Sequence, residues 1–256
     1  MDDLTAMAQT QPVSGLDLKT ADILGVPVSV LGMDDTVRAI QAMLEGAPGG
    51  MVVTADSSGL AAAQHDPELH DIYMKAALAT ADSIGVVWAL RRSGHRVGRV
   101  SGVELVDRIC ALSAEKGYRL YFLGAAPGTA ELAAEKLRLR HPGCNIVGTR
   151  HGYFPATDDE FVAREVAEAK PDVLFVAMGI PRQEKFIYHS LGLVGAKVAM
   201  GVGGSFDVFS GQVKRAPKLV QKLHMEWAWR LLLNPKKIHK VKMLPRFVWY
   251  VLRAGK

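Results

Sequence analysis

The chain has 256 residues, 49% hydrophobic and 22% charged, which supports one full-sized core and excludes collagen-like, disordered and disulfide-rich classes. Its formal charge of +5 is unevenly placed: residues 212–256 hold twelve Lys/Arg against the single acid Glu226, whereas residues 1–211 hold nineteen Lys/Arg against twenty-five Asp/Glu. A mildly acidic body with a basic, aromatic, helix-prone end reads as a soluble protein that docks on an anionic surface.

Residues 1–20 are polar, carry Asp2 and Asp3, and lack the basic start and apolar stretch of a signal peptide, so a disordered leader is expected there. The run Ile23–Leu31 around Pro27 predicts a small edge hairpin, and Asp34 or Asp35 is placed to cap a helix that ends near Glu45. Strand and helix then alternate. Met51–Ala55 and the short segment Leu78–Ala81 read as apolar strands, the latter followed by the helical run Ile84–Leu90. Tyr118–Gly124 is a strand leading through a Gly/Pro turn into a helix over Thr129–Arg140. Asn145–Thr149, Val173–Met178 and Lys197–Gly201 are further strands, with helices over about Asp158–Lys170 and after Pro181. Short strands separated by helices predict βαβ units, hence an α/β fold with a Rossmann-like, mostly parallel sheet covered on both faces. Two cysteines, Cys110 and Cys144, lack C-x-x-C spacing and read as small buried hydrophobes suited to a reducing cytosol. No stretch is long and apolar enough to predict a transmembrane helix.

The charge shift places a domain boundary near residue 211, with a Rossmann-like unit over 21–211 and a basic appendage over 212–256. The appendage predicts two helices, about 218–233 and 235–254, the second kinked at Pro245. It interleaves its charge with Trp227, Trp229, Phe247, Trp249 and Tyr250, a composition that suits the headgroup layer of an anionic membrane better than nucleic acid, which is not an expected partner.

In an open α/β sheet, ligands bind where strands end and helices begin. The polar residues at those points are Thr54, Asp56, Ser57 and Ser58, then Asp82 and Ser83, then Gly124 and Gly128, then Gln183 and Glu184, and finally Gly203, Gly204 and Ser205. The FLGAAPG turn at 122–128 offers backbone N–H groups at a helix start, suited to a diphosphate or to nothing more than a tight turn. It is not the full G-x-G-x-x-G fingerprint. Asp82 follows an apolar segment and precedes a helix, so it reads equally as a general base or as an N-cap, and Asp56 carries the same ambiguity. His151, beside an aromatic, reads as structural or substrate-contacting, and the acidic groups Asp34-Asp35 and Asp158-Asp159-Glu160 read as helix caps. No histidine cluster has metal-ligand spacing and no cofactor is expected.

Eight segments then point to a family. VVTADSSG (52–59), ADSIGVV (81–87), RVSGVEL (99–105), YFLGAAPG (121–128), GTRHGYF (148–154), PDVLFVAMGIPRQEKF (171–186), GVGGSFDVFSGQVKRAP (201–217) and MEWAWRLLLNP (225–235) together resemble the WecG/TagA/CpsF family of bacterial glycosyltransferases, over about residues 24–235. The resemblance implies inverting, metal-independent transfer of a sugar, typically N-acetylmannosamine, from a UDP-sugar donor to an undecaprenyl-diphosphate-linked N-acetylglucosamine at the cytoplasmic face of the membrane. It implies Asp82 as the base and Thr54, Asp56, Arg99 and Gln183 as substrate-binding residues. Gly124, Gly128, Gly203 and Gly204 are expected to receive the leaving diphosphate, and Arg215 and Arg230 to reach the site from the appendage. Two departures stand out: Asp56 where the family has Asn, and Ser83 where it has Gly. Asp56 brings a second carboxylate toward Asp82, and an ionised Asp only accepts hydrogen bonds where Asn also donates. The rival readings are a nicotinamide-dependent dehydrogenase and a non-catalytic UDP-sugar-binding membrane adaptor. A homo-oligomer is compatible with the sequence but not specified by it.

Overall fold

A computed structural model describes residues 18–47, 49–213 and 238–254. Residues 1–17, the first appendage helix, Trp227, Trp229, Arg215 and Arg230 lie outside the described residues, whereas Thr20, the last residue of the expected leader, is buried as the first residue of a strand. The elements run β1 (Thr20–Ile23), β2 (Val26–Ser29), α1 (Met33–Glu45), β3 (Gly50–Ala55), α2 (Ser57–Ala63), α3 (Pro67–Met74), β4 (Leu78–Ala81), α4 (Ile84–Arg92), α5 (Gly102–Lys116), β5 (Leu120–Gly124), α6 (Thr129–Arg140), β6 (Ile146–Arg150), α7 (Asp159–Glu168), β7 (Val173–Ala177), α8 (Arg182–Val194), β8 (Val198–Gly201), α9 (Ser205–Phe209) and α10 (Ile238–Ala254).

Six strands form one sheet in the order β4-β3-β8-β7-β5-β6, and every pairing is parallel. The chain starts inside the sheet at β3, steps out to β4, jumps to β5 and β6, and returns to fill the gap with β7 and β8. Parallel strands covered on both faces must be apolar throughout, as the fully buried β5, β7 and β8 are. Their side chains alternate between two cores. Val53, Ala55, Leu123, Leu174 and Val176 meet α2, α3, α4, α7, α8 and α10 on one face. Val52, Phe122, Phe175 and Met200 meet α1, α5, α6 and α9 on the other. Phe122 stacks on Phe206 at 4.8 Å and meets Phe175 edge-on at 5.5 Å, fixing α9 against the middle of the sheet. Cys110 and Cys144 are both buried in the second core.

The predicted hairpin forms, but its turn is at Leu24-Gly25, with φ of 60° and 83°, rather than at Pro27, which pairs with Asp22 inside β2. Two consecutive left-handed residues match the twist of a tight hairpin, and Gly25 accommodates one of them without a Cβ. The acidic helix starts also differ from expectation. Helix α1 begins at Met33 with Gly32 at its N-cap, so Asp34 and Asp35 lie in the first turn and act on the helix dipole instead of capping. Asp158 holds the N-cap position of α7 without a side-chain cap bond, while Asp159 turns to a two-pronged ion pair with Arg182 that ties α7 to α8.

Helix α10 passes through Pro245 and packs on α2 and α4. Phe247 is fully buried in the first core, Leu244 reaches Gly85 in the first turn of α4, and the Tyr250 hydroxyl lies 2.7 Å from His65 Nε2. The aromatic content of this helix therefore divides. Phe247 belongs to the core, while Trp249 remains 53% exposed with Arg253 over its ring.

Candidate active site

The helix after β3 packs on one face of the sheet and the helix after β8 on the other, so the chain diverges between these neighbouring strands and opens a crevice at their carboxyl ends. Thr54, near the end of β3, bridges it: its buried hydroxyl donates to the Gly201 carbonyl of β8 at 2.8 Å.

Asp82 stands at the adjoining strand end. Its N–H donates to the Ala55 carbonyl at 3.0 Å, which carries the β3–β4 ladder one residue past β4. The following loop comes back to the sheet where the Val100 N–H bonds the Ala81 carbonyl at 2.9 Å. That return sets Arg99 beside Asp82. Its Nε donates to the Asp82 carbonyl, and its Nη2 lies 3.3 Å from Oδ1. The pair is neither buried nor free in water, with 28% and 24% of the two side chains exposed. Gly102, in the first turn of α5, closes the third side. A Cβ there would lie 3.3 Å from Thr54 Cγ2 and 3.6 Å from Asp82 Oδ2. A carboxylate, a hydroxyl, a guanidinium and a helix N-terminus thus converge at one strand end.

The ambiguity between base and cap resolves differently for the two aspartates. Ser83, not Asp82, caps α4, its Oγ accepting from the Val86 N–H at 3.3 Å. The same oxygen accepts the Ser57 N–H at 3.0 Å and lies 2.9 Å from Ser57 Oγ, so the residue that replaces the usual glycine ties the starts of α2 and α4 together. Asp56 is the cap of α2: its Oδ1 accepts from the Gly59 N–H at 2.7 Å and the Ser58 hydroxyl at 2.6 Å. One of its oxygens is therefore engaged in local structure, not directed at a sugar.

Gln183 is 2% exposed, and its Oε1 accepts two loop amides, Gly179 N–H and Gly203 N–H, each at 3.0 Å, while its Nε2 donates to Glu184 Oε1 at 2.8 Å. It fixes the loops after β7 and β8 to each other. The Gly203 amide is consumed by this bond and the Ser205 amide by the Val202 carbonyl, which leaves Gly204 as the amide of that turn with no acceptor among the described residues.

Gly124 and Gly128 flank a turn at the end of β5 that approaches β7 so closely that a Cβ on Gly124 would collide with the Ala177 backbone. The order β4-β3-β8-β7-β5 puts four strand spacings, about 19 Å, between this turn and Asp82, against two spacings, about 10 Å, for the Gly203–Gly204 turn. The Gly124–Gly128 turn, expected to receive a diphosphate, thus lies farther from Asp82 than the Gly203–Gly204 turn does. Beside that turn lies the segment after β6: Gly152 N–H bonds the Ala125 carbonyl at 2.9 Å, His151 Nδ1 accepts the Tyr153 N–H at 3.2 Å, and Tyr153 is 71% exposed.

Under the crevice Tyr73 is fully buried, packed below Gly59, and its hydroxyl has no hydrogen-bond partner among the described residues. Burial, aided by the negative charges of Glu184 and Asp56, pushes its phenol well above the usual value. Among the described residues no group of three or more His, Cys, Asp or Glu side chains could hold a metal, and no helix is long and apolar enough to cross a membrane.

A doubly wound parallel sheet with an acid, a cation and glycine turns along its carboxyl edge defines an α/β protein with a ligand-binding crevice at its strand ends. Residues 21–256 match the glycosyl transferase WecG/TagA/CpsF family, and the chain belongs to it; it is a glycosyltransferase. It is similar to an N-acetylglucosaminyldiphosphoundecaprenol N-acetyl-beta-D-mannosaminyltransferase of Bacillus subtilis (strain 168), 34% identical over 81% of each chain. Proteins of the same name from Bacillus spizizenii (33% identical, over 96% of this chain and 91% of the relative) and Staphylococcus aureus (strain MRSA252; 33%, over 91% and 92%) are similar too.

Proposed function

We propose that this chain transfers N-acetylmannosamine from its UDP-activated form to N-acetylglucosaminyl-diphosphoundecaprenol, with inversion and without a metal. The observation that carries the reading is the Asp82 carboxylate: it is not spent on capping α4, it is held by Arg99, and it stands beside Thr54 and the start of α5. In the reaction, Asp82 takes the proton of the acceptor hydroxyl as that oxygen attacks the anomeric carbon. The bond from that carbon to the diphosphate oxygen breaks, and UDP leaves with the electron pair. Inversion follows from a single displacement, with base and leaving group on opposite sides of the carbon.

The diphosphate departs over the Gly203–Gly204 turn, two strands from Asp82. There the Gly204 amide opposes its charge without reorganising. The nucleoside extends along the strand ends toward the Gly124–Gly128 turn and the exposed Tyr153. The enzyme works on the membrane surface, where α10 offers exposed Trp249 and Leu252 next to Arg246 and Arg253.

Asp82→Asn should lower kcat by about 10²–10⁴ with little change in donor KM. Turnover of a panel of UDP-sugars, read as UDP release onto a short-chain polyprenyl-diphosphate-linked N-acetylglucosamine, checks this. Wild-type-like kcat in the variant removes Asp82 from the role of base. Loss of turnover in EDTA, restored by a divalent ion, refutes metal independence.

A further inference from the structure

The segment between Asp82 and α5 carries a feature that the reaction above does not use. From Ser83 to Val103 there are four arginines and one histidine, Arg91, Arg92, His95, Arg96 and Arg99, and no acid. Arg99 is engaged at Asp82. Arg91, Arg92 and Arg96 are exposed and have no ion-pair partner among the described residues. Gly94, at φ 84°, reverses the chain after α4, and the His95 N–H closes the turn on the Leu90 carbonyl at 2.9 Å. This reversal turns Arg96 back toward Arg91, and Arg91, Gly94 and Arg96 line a cavity of about 520 Å³. The loop then rejoins the sheet at Val100. Three residues of extended chain, at most about 10 Å, separate Arg96 from Arg99 and so from the reacting carboxylate.

We infer that this arginine-lined cavity binds the diphosphate of the lipid-linked acceptor. The inference rests on the proposed function, because an acceptor whose hydroxyl meets Asp82 carries its diphosphate on the same sugar, one ring away. Guanidinium groups match phosphate oxygens in two-pronged hydrogen bonds, and two of them facing one recess can hold both phosphates of a diphosphate. The helix dipole of α4 accounts for Arg91 and Arg92 in its last turn. It does not account for Arg96, which lies beyond the helix, or for the open recess that the two arginines share. Anionic bilayer phospholipids offer the same phosphate chemistry, so the experiment must separate the two sources.

The variant is the full chain with Arg91→Gln and Arg96→Gln together; both side chains are exposed, so its melting temperature should stay at the wild-type value. In solution without vesicles, steady-state kinetics with a short-chain polyprenyl-diphosphate-linked N-acetylglucosamine should show acceptor KM raised at least about tenfold and UDP-sugar KM unchanged. Calorimetric binding of the same acceptor, which needs no turnover, should weaken in parallel. Pelleting with phosphatidylglycerol vesicles lacking acceptor forms the last arm. Unchanged acceptor KM overturns the inference, as does a rise confined to donor KM. Lost vesicle binding with unchanged acceptor affinity assigns the cavity to bilayer phospholipid and also overturns it. If the wild type binds the acceptor but turns over no UDP-sugar, the proposed reaction fails while the site stands or falls on the calorimetry. If the wild type does not bind the acceptor, the inference is overturned.

Discussion

Asp82 and Asp56 both follow an apolar strand and precede a helix, and the local pattern cannot separate them. The next side chain decides. Ser83 supplies a hydroxyl that caps α4, so Asp82 is left to Arg99; after Asp56 no other residue takes over capping, so Asp56 does it. Tyr73 is a residue no sequence pattern singles out, since an aromatic at a helical spacing reads as core. Its buried hydroxyl, beneath Gly59 and without a partner among the described residues, makes a direct prediction. Tyr73→Phe should leave stability unchanged or raise it by up to about 1 kcal/mol, because a desolvated hydroxyl is removed and no hydrogen bond is lost. Thermal unfolding measures it; a loss of several degrees would mean that the hydroxyl has a structural partner.

At the scale of elements, two short contacts position most of the crevice. Gln183 joins the loops after β7 and β8, and the Ser57–Ser83 pair joins α2 to α4. Neither is visible in sequence, because each links elements far apart in the chain or asks which way a side chain turns. A third junction connects α5 to the end of α6 through Asp107, which meets Arg140 at 2.9 Å and His141 at 3.0 Å. Burial by itself would raise the Asp107 carboxyl, but the hydrogen bonds from His141 and Arg140 outweigh it and hold it below its ordinary value of 3.8. A carboxyl depressed in the folded state adds stability above its unfolded pKa, and that stability fades as pH falls through the folded value. Asp107→Asn should therefore lower the melting temperature at pH 7, and the gap to wild type should narrow below about pH 4. A gap that stays constant down to pH 2 would show that the loss is not electrostatic.

For the whole molecule, α10 joins the body through a core residue and turns a different face to solvent. Phe247 is fully buried, whereas Trp249 and Leu252 are exposed. Phe247→Ala should cost about 3–5 kcal/mol, seen as a lower denaturation midpoint. Trp249→Ala should leave that midpoint in place and weaken pelleting with anionic vesicles. Cutting the chain near residue 212 would mix the two effects, since it strips Phe247 from the core along with the charge. If Trp249→Ala pellets like wild type, this face of α10 does not dock on the membrane.

The alternation of short apolar strands with amphipathic helices is a local property, and it was enough to determine the α/β class, the parallel sheet and the row of strand ends on which polar residues sit. The motif segments were enough for the family. Strand order, in contrast, depends on which strands pair across long stretches of chain. It separates the glycine turn after β5 from Asp82 by four strands and brings the turn after β8 to within two. The hydrogen-bond partners of Asp56, Gln183 and Ser83 were likewise decided only by packing, because a side chain that can cap or bridge does whichever its assembled neighbours leave to it.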